Sequence, residues 1–522
     1  MAGAAEQQDG SVEPSPAIEL RGVSKAFGLV QANKNIDLVV QPGTIHGIIG
    51  ENGAGKSTLM NILYGLHRAD SGEMFINGAL APIHSSADAI ACGIGMVHQH
   101  FMLVPNFSVL ENVMLGSEGG MLLAEGQEET LATLKKLADE YGMTVDAEAL
   151  AGDLPVGLQQ RVEIIKALKG GAKILILDEP TGVLTPQEAI SLFKILETLK
   201  QDGVTIVLIT HKLEEIMAAT DTVSIMRQGE MVGHRVTSET NPEELAELMV
   251  GRKVLLQVDR GTSDPSEVKL SVDGLGCMSP HGSRLISDIS LDVRAGEIVG
   301  VAGIAGNGQS ELMEALAGMR PPTTGTINIL GQTITADGHS DPQIMRAAGL
   351  AHIPEDRHKF GLVLGFEARE NAILGYHYSS RSGDGRLIDG TAVTGHCQKL
   401  MSAHDVRPAN PQLTARNFSG GNQQKLVIAR ELDANPQVLI VGQPTRGVDI
   451  GAIEFIHKEL IALRDQGTAI LLISVELEEV LGLADRIMVM NNGQQVGIID
   501  RAEADEQTLG LMMAGIAPDK AA

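Results

Sequence analysis

Tryptophan is absent from this 522-residue chain, and aromatics make up only 2% of it. That scarcity removes the stacking platforms on which single-stranded nucleic acid is held. Basic residues are also short: 40 Lys and Arg stand against 66 Asp and Glu, a formal net charge of −26. Such a balance lacks the cationic footprint that phosphate backbones require, so no nucleic-acid partner is expected. It equally disfavours direct adsorption to an anionic membrane surface. The three cysteines, Cys92, Cys277 and Cys397, form no C-x-x-C pair. Their odd number suits a reduced compartment better than a disulfide scaffold. No apolar run approaches the roughly 18–20 residues that a membrane helix needs. Residues 1–17 include Pro14 and Pro16 but no apolar stretch, and read as a flexible tail and not a signal peptide. If the chain serves a membrane, another chain must cross it.

What is present is a duplication. GIIGENGAGKST (47–58) returns in altered form as GVAGIAGNGQSE (300–311), and LPVGLQQRVEIIKAL (154–168) as FSGGNQQKLVIAREL (418–432). KILILDEPTGVLT (173–185) answers to QVLIVGQPTRGVD (437–449), and IVLITHKLEEI (206–216) to ILLISVELEEV (470–480). The order is the same in both halves, so one domain has been doubled; a solenoid would show many shorter repeats. The spacing places one domain over 18–252 and the other over 268–519. The linker, 253–267, loses helical periodicity and gains Gly, Ser, Asp and Pro. Short runs rich in Ile, Val and Leu read as buried parallel strands, each followed by a helical segment, so each half is α/β. The stretches around 105–170 and 360–432 read mainly helical.

In the first half, Gly50-Glu51-Asn52-Gly53-Ala54-Gly55-Lys56-Ser57, followed by Thr58, fits the P-loop spacing G-x-x-x-x-G-K-[ST]. Glycines let the backbone wrap phosphates so that its N–H groups and the next helix's N-terminus face negative charge. Lys56 is placed for the β- and γ-phosphates and Ser57 for Mg²⁺. The apolar run 174–177 ends in Asp178-Glu179, a pair suited to holding Mg²⁺ through water and polarising the attacking water. His211 follows the next strand and is placed to meet the γ-phosphate; Gln99 follows a strand-like run and could sense Mg²⁺ or water.

This ordered set resembles the ATP-binding cassette family, and the resemblance covers nearly the whole chain twice. The second signature, Phe418-Ser419-Gly420-Gly421-Asn422-Gln423-Gln424, is similar to the family's L-S-G-G-Q. The implied fold is two tandem P-loop NTPase domains, each a RecA-like α/β core with an antiparallel β region and a helical subdomain. Phe27 lies where the family places an aromatic against adenine; a core position on a strand is the alternative.

In that family each ATP is held between the P-loop of one cassette and the signature of the other. By that resemblance the site of the first P-loop keeps Lys56, Asp178, Glu179 and His211, and borrows Ser419, Gly420, Gly421 and Asp449. The other site has Gln309 for the lysine, Gly442 and Gln443 for the acidic pair, and Val475 for the histidine. It also has Thr185 for the D-loop acid and Pro155 for the signature serine. A lost general base alone typically costs about 10²–10⁴-fold, so one hydrolytic site is expected.

The linker is too short for the ribosomal cassette proteins, and the repair class carries cysteine pairs that are missing here. Pro354-Glu355-Asp356-Arg357 and Pro444-Thr445-Arg446-Gly447 resemble the fused ATPases of monosaccharide and nucleoside uptake, and Gly442-Gln443 leans towards the nucleoside branch. The resemblance implies ATP and Mg²⁺, two transmembrane permease subunits, a substrate-binding protein and a place on the cytoplasmic face of the membrane. A monosaccharide importer ATPase and a soluble ATP-driven switch are the alternatives.

Overall fold

The computed structural model describes residues 15–28, 30–98, 101–116, 123–182, 184, 186–253, 259–279, 281–304, 306–336, 338, 340–378 and 387–516. The chain divides into two compact units, residues 1–254 and 255–522.

The first unit is built on a six-stranded sheet. Its order is Glu230–Val236, Thr222–Arg227, Ile45–Gly50, Thr205–Ile209, Ile174–Asp178, Ile94–Val97, parallel except for the antiparallel edge pair at 222–236. The central strands are buried at every position because both faces are covered. Their alternation sorts them: Ile174, Ile176, Val207 and Ile209 enter one core, and Leu175, Leu177, Ile206 and Leu208 the other. The first core is completed by an antiparallel sheet of four strands, Val30–Val40, Ile18–Phe27, Ser71–Ile76 and Ala79–Leu80. The second is completed by helices, among them Val109–Met114 and Val156–Lys169.

The second unit repeats this plan. Here a single backbone bridge, Ser287 to Gln494, joins the antiparallel and parallel regions into one sheet of ten strands. Strands Ile298–Ala302, Ala469–Ile473, Val438–Gly442 and Leu350–Ile353 run parallel and are nearly fully buried. The helices of the 360–432 stretch include Gly390–Ala403 and Gly420–Leu432. In neither unit is any described helix long and apolar enough to cross a membrane.

Candidate nucleotide sites

Strand Ile45–Gly50 ends in the P-loop, and helix Lys56–Leu63 begins after it. Two glycines are dictated by close approach. A Cβ on Gly50 would collide with the Met226 carbonyl, and one on Gly55 with the Ala32 carbonyl; Gly55 also has φ +101°. No side chain caps the helix, so its first-turn N–H groups have no side-chain acceptor there. Asn33 steadies the turn by donating to the Gly55 carbonyl at 3.1 Å.

Lys56 is buried, and its ammonium donates to the carbonyls of Gly50 at 2.6 Å and Glu51 at 3.1 Å. Burial pulls its pKa below the ordinary lysine value, against the opposing pull of Glu179, Asp178 and Glu51. Asp178 ends strand Ile174–Asp178 and faces Ser57. Burial and the neighbouring Glu179 raise its pKa, with Ser57 and Lys56 opposing. A desolvated carboxylate beside a serine hydroxyl at a P-loop fits a divalent cation, whose charge would relieve that cost.

Glu179 is the next residue, at φ +48°, with its N–H bonded to the Ile209 carbonyl at 2.9 Å. Its carboxylate lies 3.0 Å from His211 Nδ1, and that hydrogen bond holds its pKa below the usual range. Behind it, the hydroxyls of Thr181 and Thr210 both donate to the buried Glu215. This brace ties the chain after Glu179 to the chain before His211, and nothing in the motif spacing signals it. Phe27 is 45% exposed, edge-on to His67 at 5.2 Å, which rules out the core alternative. Gln99 and Thr185 lie outside the described residues.

The second unit repeats the backbone and changes the chemistry. Gly308 has φ +100°, close to Gly55, and Gln443 has φ +43°, with its N–H bonded to Ile473 at 2.7 Å. The left-handed turn is therefore a property of this strand end in both units, whatever side chain it carries. The amide of Gln309 folds back onto the Ile304 carbonyl at 3.1 Å, where Lys56 places its ammonium. A Cβ on Gly442 would stand 2.5 Å from Met313 Sδ and 2.9 Å from the Glu355 backbone nitrogen. The space of the missing carboxylate is thus filled. Ser310, the counterpart of Ser57, donates instead to Glu355 at 2.8 Å. Val475 is half-buried.

The second signature is well formed. The Ser419 hydroxyl accepts from the Asn422 N–H and caps helix Gly420–Leu432. A Cβ on Gly421 would stand 3.0 Å from the carboxylate of Asp449, which caps helix Ile450–Asp465 by accepting from Ala452 at 2.7 Å. The matching helix of the first unit, Val156–Lys169, starts after Pro155, which supplies no side-chain cap.

Both halves match the family model described as ABC transporter, over residues 33–182 and 286–446. The nucleoside import ATP-binding protein NupA of Lactococcus lactis subsp. cremoris is 46% identical, over 95% of this chain and 98% of its own. The guanosine import ATP-binding protein NupO of Bacillus subtilis is 45% identical, over 95% and 97%. The glucose import ATP-binding protein TsgD13 of Haloferax volcanii is 42% identical, over 96% of each. With both halves matched and full-length similarity to import ATP-binding proteins, the chain belongs to the ABC transporter family as an ATP-hydrolysing subunit with two fused cassettes.

Proposed function

We propose that this chain energises import of a nucleoside through one hydrolytic ATP site, with cassettes over 18–252 and 268–519. The observation that carries the one-site reading is the contrast between the two strand ends. One presents Asp178 to Ser57 and Glu179 to His211; the other presents Gly442, whose side-chain space holds Met313.

ATP binds with its phosphates on the 50–58 loop, its β- and γ-oxygens met by Lys56 and its adenine against Phe27. Ser419, Gly420, Gly421 and Asp449 of the second cassette complete the site. Ser57, Asp178 and Gln99 would hold Mg²⁺, which when bound screens the charge of the phosphates. Glu179, kept ionised by His211, accepts a proton from the attacking water, a role for which a neutral glutamine at 443 is unsuited. His211 holds that carboxylate in place and faces the γ-phosphate.

Binding of ATP draws the cassettes together and hydrolysis releases them. Two transmembrane permease subunits couple that cycle to alternating access, a substrate-binding protein delivers the solute, and the chain sits peripherally on the cytoplasmic face of the membrane through the permease. The nucleoside reading rests on the similarity to NupA and NupO together with Gly442-Gln443. The glucose-import relative supports a monosaccharide importer as the second reading.

Stimulation of ATPase by binding protein loaded with adenosine, guanosine, uridine, ribose, galactose or xylose distinguishes them in the lipid-reconstituted complex. Stimulation by nucleosides alone is expected. Stimulation by a free sugar alone moves the chain to the monosaccharide branch, and failure to form a complex with any permease removes the importer reading.

A further inference from the structure

The loop that follows strand Leu350–Ile353 is fastened to the signature helix along its length. Asp356 opens it by accepting from the N–H groups of His358 at 2.9 Å and Lys359 at 3.0 Å, and a tight turn runs over Arg357–Gly361. At the near end, His358 Nε2 meets Gln423 Oε1 at 2.8 Å, and Arg357 Nε meets the same oxygen at 3.4 Å. Gln423 is itself fixed, its amide donating to the Ala415 carbonyl at 3.0 Å. At the far end, the buried Arg430 donates to the Gly361 carbonyl at 2.8 Å.

Arg357 reaches further than the loop. Its Nη1 donates to the Arg446 carbonyl at 2.9 Å, in the turn that leads to Asp449. Its guanidinium lies over Gly420, where a Cβ would stand 2.7 Å from Nη2 and 2.9 Å from the Gly447 carbonyl. One side chain therefore touches three segments: the loop, the first residue of the signature helix, and the turn before Asp449. The first cassette has no arginine between Val97 and Val104 and has Val156 where the second has Gly420, so it holds no such guanidinium. Among the described residues the arrangement occurs only beside the signature that keeps its serine and both glycines.

We propose that Arg357 is a positioning residue for ATP hydrolysis, a fork that carries displacement of the 354–361 loop to Ser419–Gly421 and Asp449. This rests on the reading that those residues complete the hydrolytic site. The planar guanidinium suits the role because it makes two directed bonds at once while packing close against glycine; a lysine ammonium is a single point donor. Gly420 is required for the same reason.

The test uses the complete complex with permease and binding protein in lipid, the binding protein loaded from a mixture of adenosine, guanosine and uridine. Arg357→Ala and Arg357→Lys are expected to lower stimulated kcat at least fivefold, to leave the ATP KM within about twofold, and to leave the melting temperature of the complex unchanged. Arg357→Lys keeps the stem and the charge, and it carries the test if the alanine variant does not assemble. Stimulated kcat within twofold of wild type for Arg357→Lys overturns the proposal, as does a loss of kcat accompanied by a lowered melting temperature. Glu179→Gln in the same preparation separates the two readings. If it still turns over, the composite-site reading has failed; if it is inactive while Arg357→Lys is normal, only the positioning role has.

Discussion

Met313 Sδ lies 2.5 Å from the point where a Cβ on Gly442 would stand. The thioether of a residue on the helix after the second P-loop has closed over the place from which Asp178 faces Ser57 in the first unit. Methionine is suited to such filling because it is unbranched and flexible. The second site thus lacks the acidic pair in sequence, and Met313, which stands where the first unit has Met60, occupies the freed space.

Restoring the carboxylate should therefore fail. Gly442→Asp and Gly442→Ala must displace Met313 and press on the Glu355 backbone, and overpacking of this kind costs about 1–3 kcal/mol. We expect melting to fall by roughly 3–8 °C in calorimetry of the purified chain. Turnover added to a Glu179→Gln background by Gly442→Asp should be undetectable.

His211→Ala should move the acid limb of the pH–rate profile upward. The His211 hydrogen bond is the first cause holding the Glu179 pKa below its ordinary carboxylate range. The ionised form is the one that accepts a proton, so wild-type activity persists as pH falls until that lowered pKa is reached. Without the imidazole the carboxylate titrates at higher pH and the loss begins earlier. Steady-state kcat/KM for ATP, followed downward from neutral pH to below the ordinary glutamate range, reads the shift; an unmoved acid limb counts against the contact.

Much of this site was legible because the P-loop, the acidic strand end and the signature are each local in sequence. The P-loop spacing and the acidic strand end place Lys56, Ser57, Asp178 and Glu179, the resemblance to the cassette signature places Ser419, and the full burial of strands such as Ile174–Asp178 follows from apolar runs bounded by turns. The Glu215 brace and the Arg357 fork were not legible. Each joins residues far apart in the chain, 34 positions between Thr181 and Glu215 and 89 between Arg357 and Arg446. Only the folded sheet brings them together. Arg357 stands out in the sequence as a mark of one branch of the family, but its reach to Gly420 is a fact of geometry. Phe27 shows the converse, since a strand residue with an aromatic ring reads equally as core and as surface until its exposure is known.

Asp178→Asn should stabilise the nucleotide-free protein while weakening Mg²⁺-dependent ATP binding. Burial and Glu179 raise the Asp178 pKa, so the folded state disfavours its charge. A raised carboxylate pKa makes the ionised form a cost to the fold above that pKa and relieves it as pH falls, and the amide removes the cost at neutral pH. The melting temperature at pH 7 should rise by about 2 °C. The gain should shrink as pH falls through the Asp178 titration; a lower melting temperature at pH 7 contradicts the assignment of burial as the dominant cause.

The central claim is that one of the two ATP sites does the hydrolysis, and paired variants at equivalent positions test it most directly. Steady-state ATPase of the complete complex should fall by about 10²–10⁴-fold in Glu179→Gln, the usual cost of losing a general base. Gln443→Ala and Gln309→Ala should stay within about threefold of wild type. Turnover near wild type in Glu179→Gln, with loss of activity in Gln309→Ala, would contradict the account.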